Sequence, residues 1–229
     1  MIIDTAVIAA GGEGKRMKES GIMIPKPLVS FQGKPLISYV IDSLIENNIT
    51  KIIILEPVNS SLKEILLAKY NDIRLIFIKP DVKQTLLETL LLTEVYLADK
   101  FILVDADIIL KPEDMKQFIS NVNNQECFGA IATVEKPKYQ NNHYLLINDN
   151  RVIGFNKNNN TGSHGGYLYL FSKKILNKIR HELLIGNYSF SGLVTKIAKK
   201  EKVIPSYIEE IFDIDTYDEL IFLENNFSN

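Results

Sequence analysis

An apolar run from Ile2 to Ala10 breaks into Gly11-Gly12-Glu13-Gly14-Lys15-Arg16, and nothing else in the 229 residues restricts the fold as much. A run that short and that apolar reads as a strand buried on both faces, the situation of a parallel sheet covered by helices. The glycines then fall at the C-terminal end of the strand, where open α/β sheets bind their ligands. Three glycines in four positions remove the Cβ atoms that keep ligands off the backbone, and consecutive N–H groups in such a turn form a concavity for anionic oxygens. Arg16, and Lys26 in Pro25-Lys26-Pro27-Leu28, add a planar fork and a mobile point charge. Together they read as a clamp for a polyphosphate; the plainer reading is a glycine-rich βα turn with two solvated basic residues. The loop is not a dinucleotide loop, because its spacing is not Gly-x-Gly-x-x-Gly and Pro25 and Pro27 lead us to expect no helix opening at the third glycine. It also lacks the Gly-Lys-Ser/Thr ending of the ATPase loop.

Downstream the chain supplies the rest of such a sheet. Lys34 to Asn48 has helical spacing with Leu36, Val40, Leu44 and Ile45 on one face, Lys51 to Leu55 reads as a strand, Ser60 to Tyr70 as a helix and Ile73 to Ile78 as a strand. Alternation of β and α predicts right-handed crossovers and parallel strands. Gln84 to Ala98 reads as a further helix. Gln84 and Thr85 at its start carry groups that suit a base edge, or serve as an ordinary polar helix start.

Phe101 to Val104 then runs into Asp105-Ala106-Asp107 on the edge that carries the glycines. Residues two apart on an extended segment point the same way, so both carboxylates are expected to face one place. Close carboxylates repel unless a cation joins them, and hard oxygen ligands favour Mg2+ or Mn2+ over zinc. The plainer reading is an acidic turn ending a strand.

The second half changes character, with short strand-like runs at Cys127 to Val134, His143 to Ile147, Arg151 to Asn156 and Gly166 to Phe171. They predict an antiparallel or mixed subregion, roughly 127–171, that completes the sheet and covers a substrate. Asn148-Asp149-Asn150 is a hairpin signal, and the polar stretch from Asn156 to Gly166 reads as a mobile loop. His143 and His164 have no metal-ligand spacing. Ser172 to Leu184 and Ser189 to Lys200 read as helices and Lys202 to Tyr207 as a last strand. Asp213-Ile214-Asp215 follows, with Thr216 as the cap of a helix from Tyr217 to Glu224.

Composition closes off other classes. A formal charge of −2 without basic runs argues against a nucleic-acid surface. The lone Cys127 provides neither a disulfide framework nor a metal pair, which fits a reducing cytoplasm. No apolar run approaches the roughly 18 residues that span a bilayer. We expect one soluble, cytoplasmic domain over 1–229, without nucleic-acid or membrane partners and with homo-oligomers left open.

The order of these motifs resembles the nucleotidyltransferase superfamily that couples an NTP to a sugar 1-phosphate or a similar phosphorylated alcohol, and the resemblance spans the chain. It implies an α/β, Rossmann-like three-layer sandwich with a mostly parallel central sheet and a smaller antiparallel or mixed sugar-binding subregion. It implies nucleotide binding at Ala10, Gly11, Gly12, Gly14, Gln84, Thr85 and Asp105, with Arg16 and Lys26 catalytic on the phosphates. Mg2+, or Mn2+, would sit on Asp107 and Asp213, with Asp105 and Asp215 as close alternatives. Lys157, Gly166 and Tyr167 match positions that contact the phosphorylated acceptor, although Asn156 stands where the family has an acid and Gln84-Thr85-Leu86 departs from the usual base-recognition segment. The implied partners are an NTP and a small phosphorylated acceptor. A glycosyltransferase using a nucleotide sugar, and a non-catalytic nucleotide-sugar-binding module, are the alternatives; the triphosphate clamp weighs against the first and the retained acids against the second.

Overall fold

A computed structural model describes residues 3–12, 14–57, 60–71, 74–80, 83–135, 144–156 and 163–226. Its first half runs β1 (Thr5–Ala9), α1 (Lys15–Glu19), β2 (Ser30–Phe31), β3 (Lys34–Pro35), α2 (Leu36–Glu46), β4 (Lys51–Leu55), α3 (Leu62–Lys69) and β5 (Arg74–Ile78). The middle adds α4 (Leu86–Leu91), β6 (Lys100–Asp105), β7 (Ile108–Ile109), α5 (Pro112–Val122), β8 (Gly129–Val134), β9 (Tyr144–Asn148), β10 (Arg151–Asn156) and β11 (Ser163–Ser172). α6 (Ile175–Leu184), α7 (Phe190–Ala198), β12 (Val203–Tyr207), β13 (Phe212–Asp213) and α8 (Tyr217–Asn226) complete it.

The apolar runs become a parallel block in the order β5, β4, β1, β6, with Ala9 in register with Leu55 and Asp105, and Leu55 with Ile78. Their C-terminal ends therefore share one edge. β11 joins β6 antiparallel, β8 joins β11 antiparallel, and β12 joins β8 in parallel, while β9 and β10 extend the first part of β11 as an antiparallel pair. This is the mixed, mostly parallel α/β sheet expected, with its antiparallel part between β8 and β11.

Period two along the strands sorts the core into two layers. Ala6, Ile8, Ile52 and Ile54 pack with Val40, Leu44, Leu66 and Phe118 of α2, α3 and α5. Val7, Ile53 and Leu103 face the other way, against Leu87, Leu90, Ile179 and Ile197 of α4, α6 and α7. Helices thus cover both faces of the parallel block, which is why its strands lack polar alternation.

Several expectations are refined. A helix does open after the third glycine: α1 ends at Glu19, before Pro25, so the prolines limit it rather than forbid it. The helix expected over Gln84 to Ala98 is only α4 and a 3-10 turn at Glu94–Tyr96, because the amides of Leu92 and Thr93 bond three residues back and the Thr93 hydroxyl donates to the Leu90 carbonyl at 2.7 Å. The Asn148-Asp149-Asn150 signal is borne out, with φ of 48° at Asp149 and 56° at Asn150, both positive as a two-residue hairpin requires. Residues 163–166, expected in a loop, lie in β11. The rest of that loop, 157–162 with Lys157, lies outside the described residues, as does His143. The described His164 is buried against the Tyr144 ring. No described helix is long and apolar enough to cross a membrane.

Candidate active site

Beyond Ala9 the chain stays beside β4 for one more residue, since the Ala10 amide donates to the Leu55 carbonyl at 3.1 Å. It then leaves the sheet, and Gly11 and Gly12 are exposed, with open space where a Cβ would stand. Gly14 does a different job. It adopts φ +58° at the start of α1, and a Cβ there would lie 3.2 Å from Cβ of Lys26. The first two glycines leave room for a ligand, and the third lets Lys26 approach the loop. Gly14→Ala should therefore destabilise the protein by about 1–2 kcal/mol through a strained backbone and a tight contact. Gly12→Ala should leave thermal stability unchanged and weaken binding of the NTP that the sequence leads us to expect, and thermal denaturation with calorimetry on both variants separates the two roles.

Lys26 begins a 3-10 turn, Lys26–Leu28, and its side chain is only 7% exposed. Its ammonium lies 2.5 Å from Oδ2 of Asp107 and donates to Oδ1 of Asp215 at 2.7 Å, while the Arg16 guanidinium sits 2.6 Å from Oδ2 of Asp215. Burial works against the Lys26 charge, but the carboxylates of Asp107 and Asp213 outweigh it and hold the ammonium firmly protonated. Both expected cations are thus joined to the acids.

The acids meet through backbone pairing. β6 ends at Asp105, and Ala106 and Asp107 turn, with the Ala106 amide bonded to the Ala9 carbonyl at 3.2 Å. The chain resumes as β7, which pairs antiparallel with β13, so Asp213 stands opposite Ile108 and the Ile214 amide donates to the Asp107 carbonyl at 3.1 Å. Asp107, Asp213 and Asp215 each offer a carboxylate oxygen, all within 4.8 Å of one another. Asp105 is outside this trio. The expectation that Asp105 and Asp107 lie on one extended segment fails because the strand stops between them.

Each acid has its own environment. Burial, then the Asp107 charge, pushes the Asp105 and Asp213 carboxyls well above the ordinary carboxylate range. Burial also opposes ionisation of Asp215, but its hydrogen bond from Lys26 and the charges of Lys26 and Arg16 prevail and hold it below that range. Unequal carboxyls around one buried ammonium mark a place built to hold positive charge.

β11 carries Tyr167 to the same place by an irregularity that sequence periodicity did not reveal. Its register against β8 shifts between Gly165 and Tyr169, Gly166 has φ +119° and Tyr167 φ +65°. A Cβ on Gly165 would lie 2.7 Å from the Ala132 carbonyl oxygen, so the bulge needs glycine there. The signal for it was the Gly165-Gly166 pair inside a strand pattern. Tyr167 is buried, and burial with the nearby charges of Asp213 and Asp215 keeps its hydroxyl protonated. Gln84 is exposed on the loop that follows β5 on this same edge. Thr85 is the N-cap of α4: its hydroxyl donates to Oε2 of Glu88 at 2.8 Å and accepts from the Glu88 amide at 3.4 Å. That hydroxyl is engaged in capping, whereas the Gln84 side chain is exposed.

A family model described as the MobA-like NTP transferase domain matches residues 6–192. The mannose-1-phosphate guanyltransferase of Gibberella zeae is 30% identical over 189 residues, 76% of this chain and 50% of that protein. The chain spans about half the length of the curated relatives it matches first. Among solved structures, the inositol-1-phosphate CTP transferase of T. maritima superposes with a TM-score of 0.80 at 17% identity, covering 99% of this chain and 98% of that one. The CTP:phosphocholine cytidylyltransferase LicC of Streptococcus pneumoniae gives 0.74 at 23% identity, covering 99% and 100%.

Proposed function

The chain belongs to the family of MobA-like NTP transferase domains, and from that premise we propose that it transfers a nucleotidyl group from an NTP to the phosphate of a small phosphorylated sugar or alcohol, releasing pyrophosphate. The observation that carries this reading is the Lys26 ammonium seated between Asp107 and Asp215, beside an open pair of glycines and Arg16. A glycosyl donor's diphosphate needs no such clamp on a third phosphate.

An oxygen of the acceptor phosphate attacks the α-phosphorus of the NTP in line. The new P–O bond forms as the bond from the α-phosphorus to the bridging oxygen breaks, and the electron pair leaves with pyrophosphate. The protein forms no bond. Gly11 and Gly12 bring backbone N–H groups to the phosphates, Arg16 and Lys26 neutralise the charge that gathers on the leaving group, and Gln84 lies where a base edge can meet it. Tyr167 is assigned to the acceptor side, and Lys157, outside the described residues, is assigned to the acceptor phosphate by the family resemblance alone.

The donor set fits a divalent cation. Three carboxylates offer hard oxygens within one ion's reach, and two of them, Asp107 and Asp215, already pair with an ammonium. Asp107, Asp213 and Asp215 would hold Mg2+ or Mn2+, which when bound neutralises phosphate charge and polarises the reacting phosphorus.

The NTP and acceptor are identified by measuring pyrophosphate release from each of the four NTPs with a panel of sugar 1-phosphates and with phosphocholine. We expect one NTP and one acceptor class to give Mg2+-dependent release, with a sugar 1-phosphate preferred. Release with phosphocholine alone moves the acceptor to the alcohol phosphates. Metal-independent binding without turnover for every pair overturns the assignment.

A further inference from the structure

The segment that brings Asp213 and Asp215 to the site is fixed at both ends by carboxylates that do not belong to the acidic trio. Upstream, Asp114 in the first turn of α5 is buried, and its Oδ1 accepts the amides of Glu209 and Glu210 at 2.8 and 3.3 Å. The middle is fixed by the β7–β13 pairing and the Ile214 bond to Asp107. Downstream, Oε2 of Glu219 accepts two consecutive amides, those of Asp215 and Thr216, both at 2.7 Å.

The second of these bonds, together with the Glu219 amide donating to the Thr216 hydroxyl at 3.2 Å, is an ordinary capping box for α8. The bond to the Asp215 amide exceeds what a cap needs. It fixes the backbone of the residue whose two carboxylate oxygens divide between Arg16 and Lys26. We propose that Glu219 is a positioning residue that presets Asp215 as a ligand for the divalent cation, rather than only a helix cap. This rests on the reading of the trio as the cation site of a nucleotidyltransferase. Groups that orient metal ligands from behind typically change metal affinity by 10–100-fold when removed.

The test is Mn2+ binding, followed by electron paramagnetic resonance of the free ion, with Mn2+ alone and with each of the four α,β-methylene NTP analogues. Wild type, Glu219→Ala, Glu219→Gln and Thr216→Ala are compared, with thermal unfolding as the check on folding. Glu219→Ala should weaken Mn2+ binding about tenfold. Glu219→Gln, whose amide oxygen still accepts both N–H groups, should restore most of it. Thr216→Ala removes the cap hydroxyl but leaves the Asp215 bond, and should stay within about twofold of wild type at a similar unfolding temperature. Equal loss in Thr216→Ala and Glu219→Ala, or no loss in Glu219→Ala, overturns the positioning role. Failure of wild type to bind Mn2+ with any analogue instead overturns the cation site on which the role depends.

Discussion

Replacing Lys26 by methionine is expected to lower turnover by about 10²–10³-fold, the usual consequence of losing one preorganised group that stabilises developing charge. The same change should destabilise the metal-free protein, because methionine fills the space of the stem while Asp107, Asp213 and Asp215 lose the ammonium they share. Removing one partner of a fully buried pair costs about 3–5 kcal/mol, and since the two paired carboxylates are about a quarter exposed we expect about 1–3 kcal/mol here. The sign of the pH dependence follows. Without Lys26 the Asp213 carboxyl, already raised by burial and the Asp107 charge, rises further, and Asp215 loses the bond and charge that hold it low, so the folded form holds protons that the unfolded form has lost. The penalty should be largest near neutral pH and shrink as pH falls toward the unfolded carboxylate range of about 4. Mg2+ should raise the unfolding temperature of the variant more than that of wild type, since the ion supplies the missing charge. Equal unfolding temperatures at pH 7 and 5 with near-normal turnover would contradict both the ion bridge and its role.

Asp107→Asn and Asp213→Asn should each remove most turnover, on the order of 10²-fold or more, and leave the fold in place. Asparagine keeps the side-chain volume, and the contacts that join the two segments are backbone bonds between β7 and β13. The double variant should be scarcely worse than either single one, because each change already breaks the same unit. Asp215→Asn has a further effect, since Asp215 is the residue that couples Arg16 to Lys26. It should weaken NTP affinity as well as slow the chemical step, read as a rise in KM for the NTP beside the fall in kcat. Turnover kept in Asp213→Asn but lost in Asp215→Asn would make Asp215 the main late ligand; turnover kept in both would remove the cation site from this end of the chain.

Much of the scaffold was legible because its signals are local. A strand buried on both faces must be an apolar run, so β1, β4 and β6 could be read within a few residues of their ends, and the half-buried edge strand β5 carries the same apolar signal. A two-residue hairpin needs positive φ, which Asp149 and Asn150 tolerate. The glycine loop and the acidic pairs are likewise runs of neighbours. The sequence by itself determined which groups would be available on the ligand edge of an α/β sheet.

Which of those groups face one another was decided by tertiary structure. Lys26 and Asp215 lie 189 positions apart and meet because β13 pairs with β7, a backbone contact between two two-residue strands too short to carry a periodic pattern. Asp105 drops out of the trio because β6 ends one residue before the turn, and alternation along a strand cannot report where the strand stops. Tyr167 lies inside a register shift in which β11 takes four steps, Gly165 to Tyr169, against two on β8, and period two along one strand does not report such a bulge. Periodicity carries information over one element. The charges of this site belong to separate elements, so their pairing, and with it the pKa of each carboxyl, exists only once the sheet has closed around them.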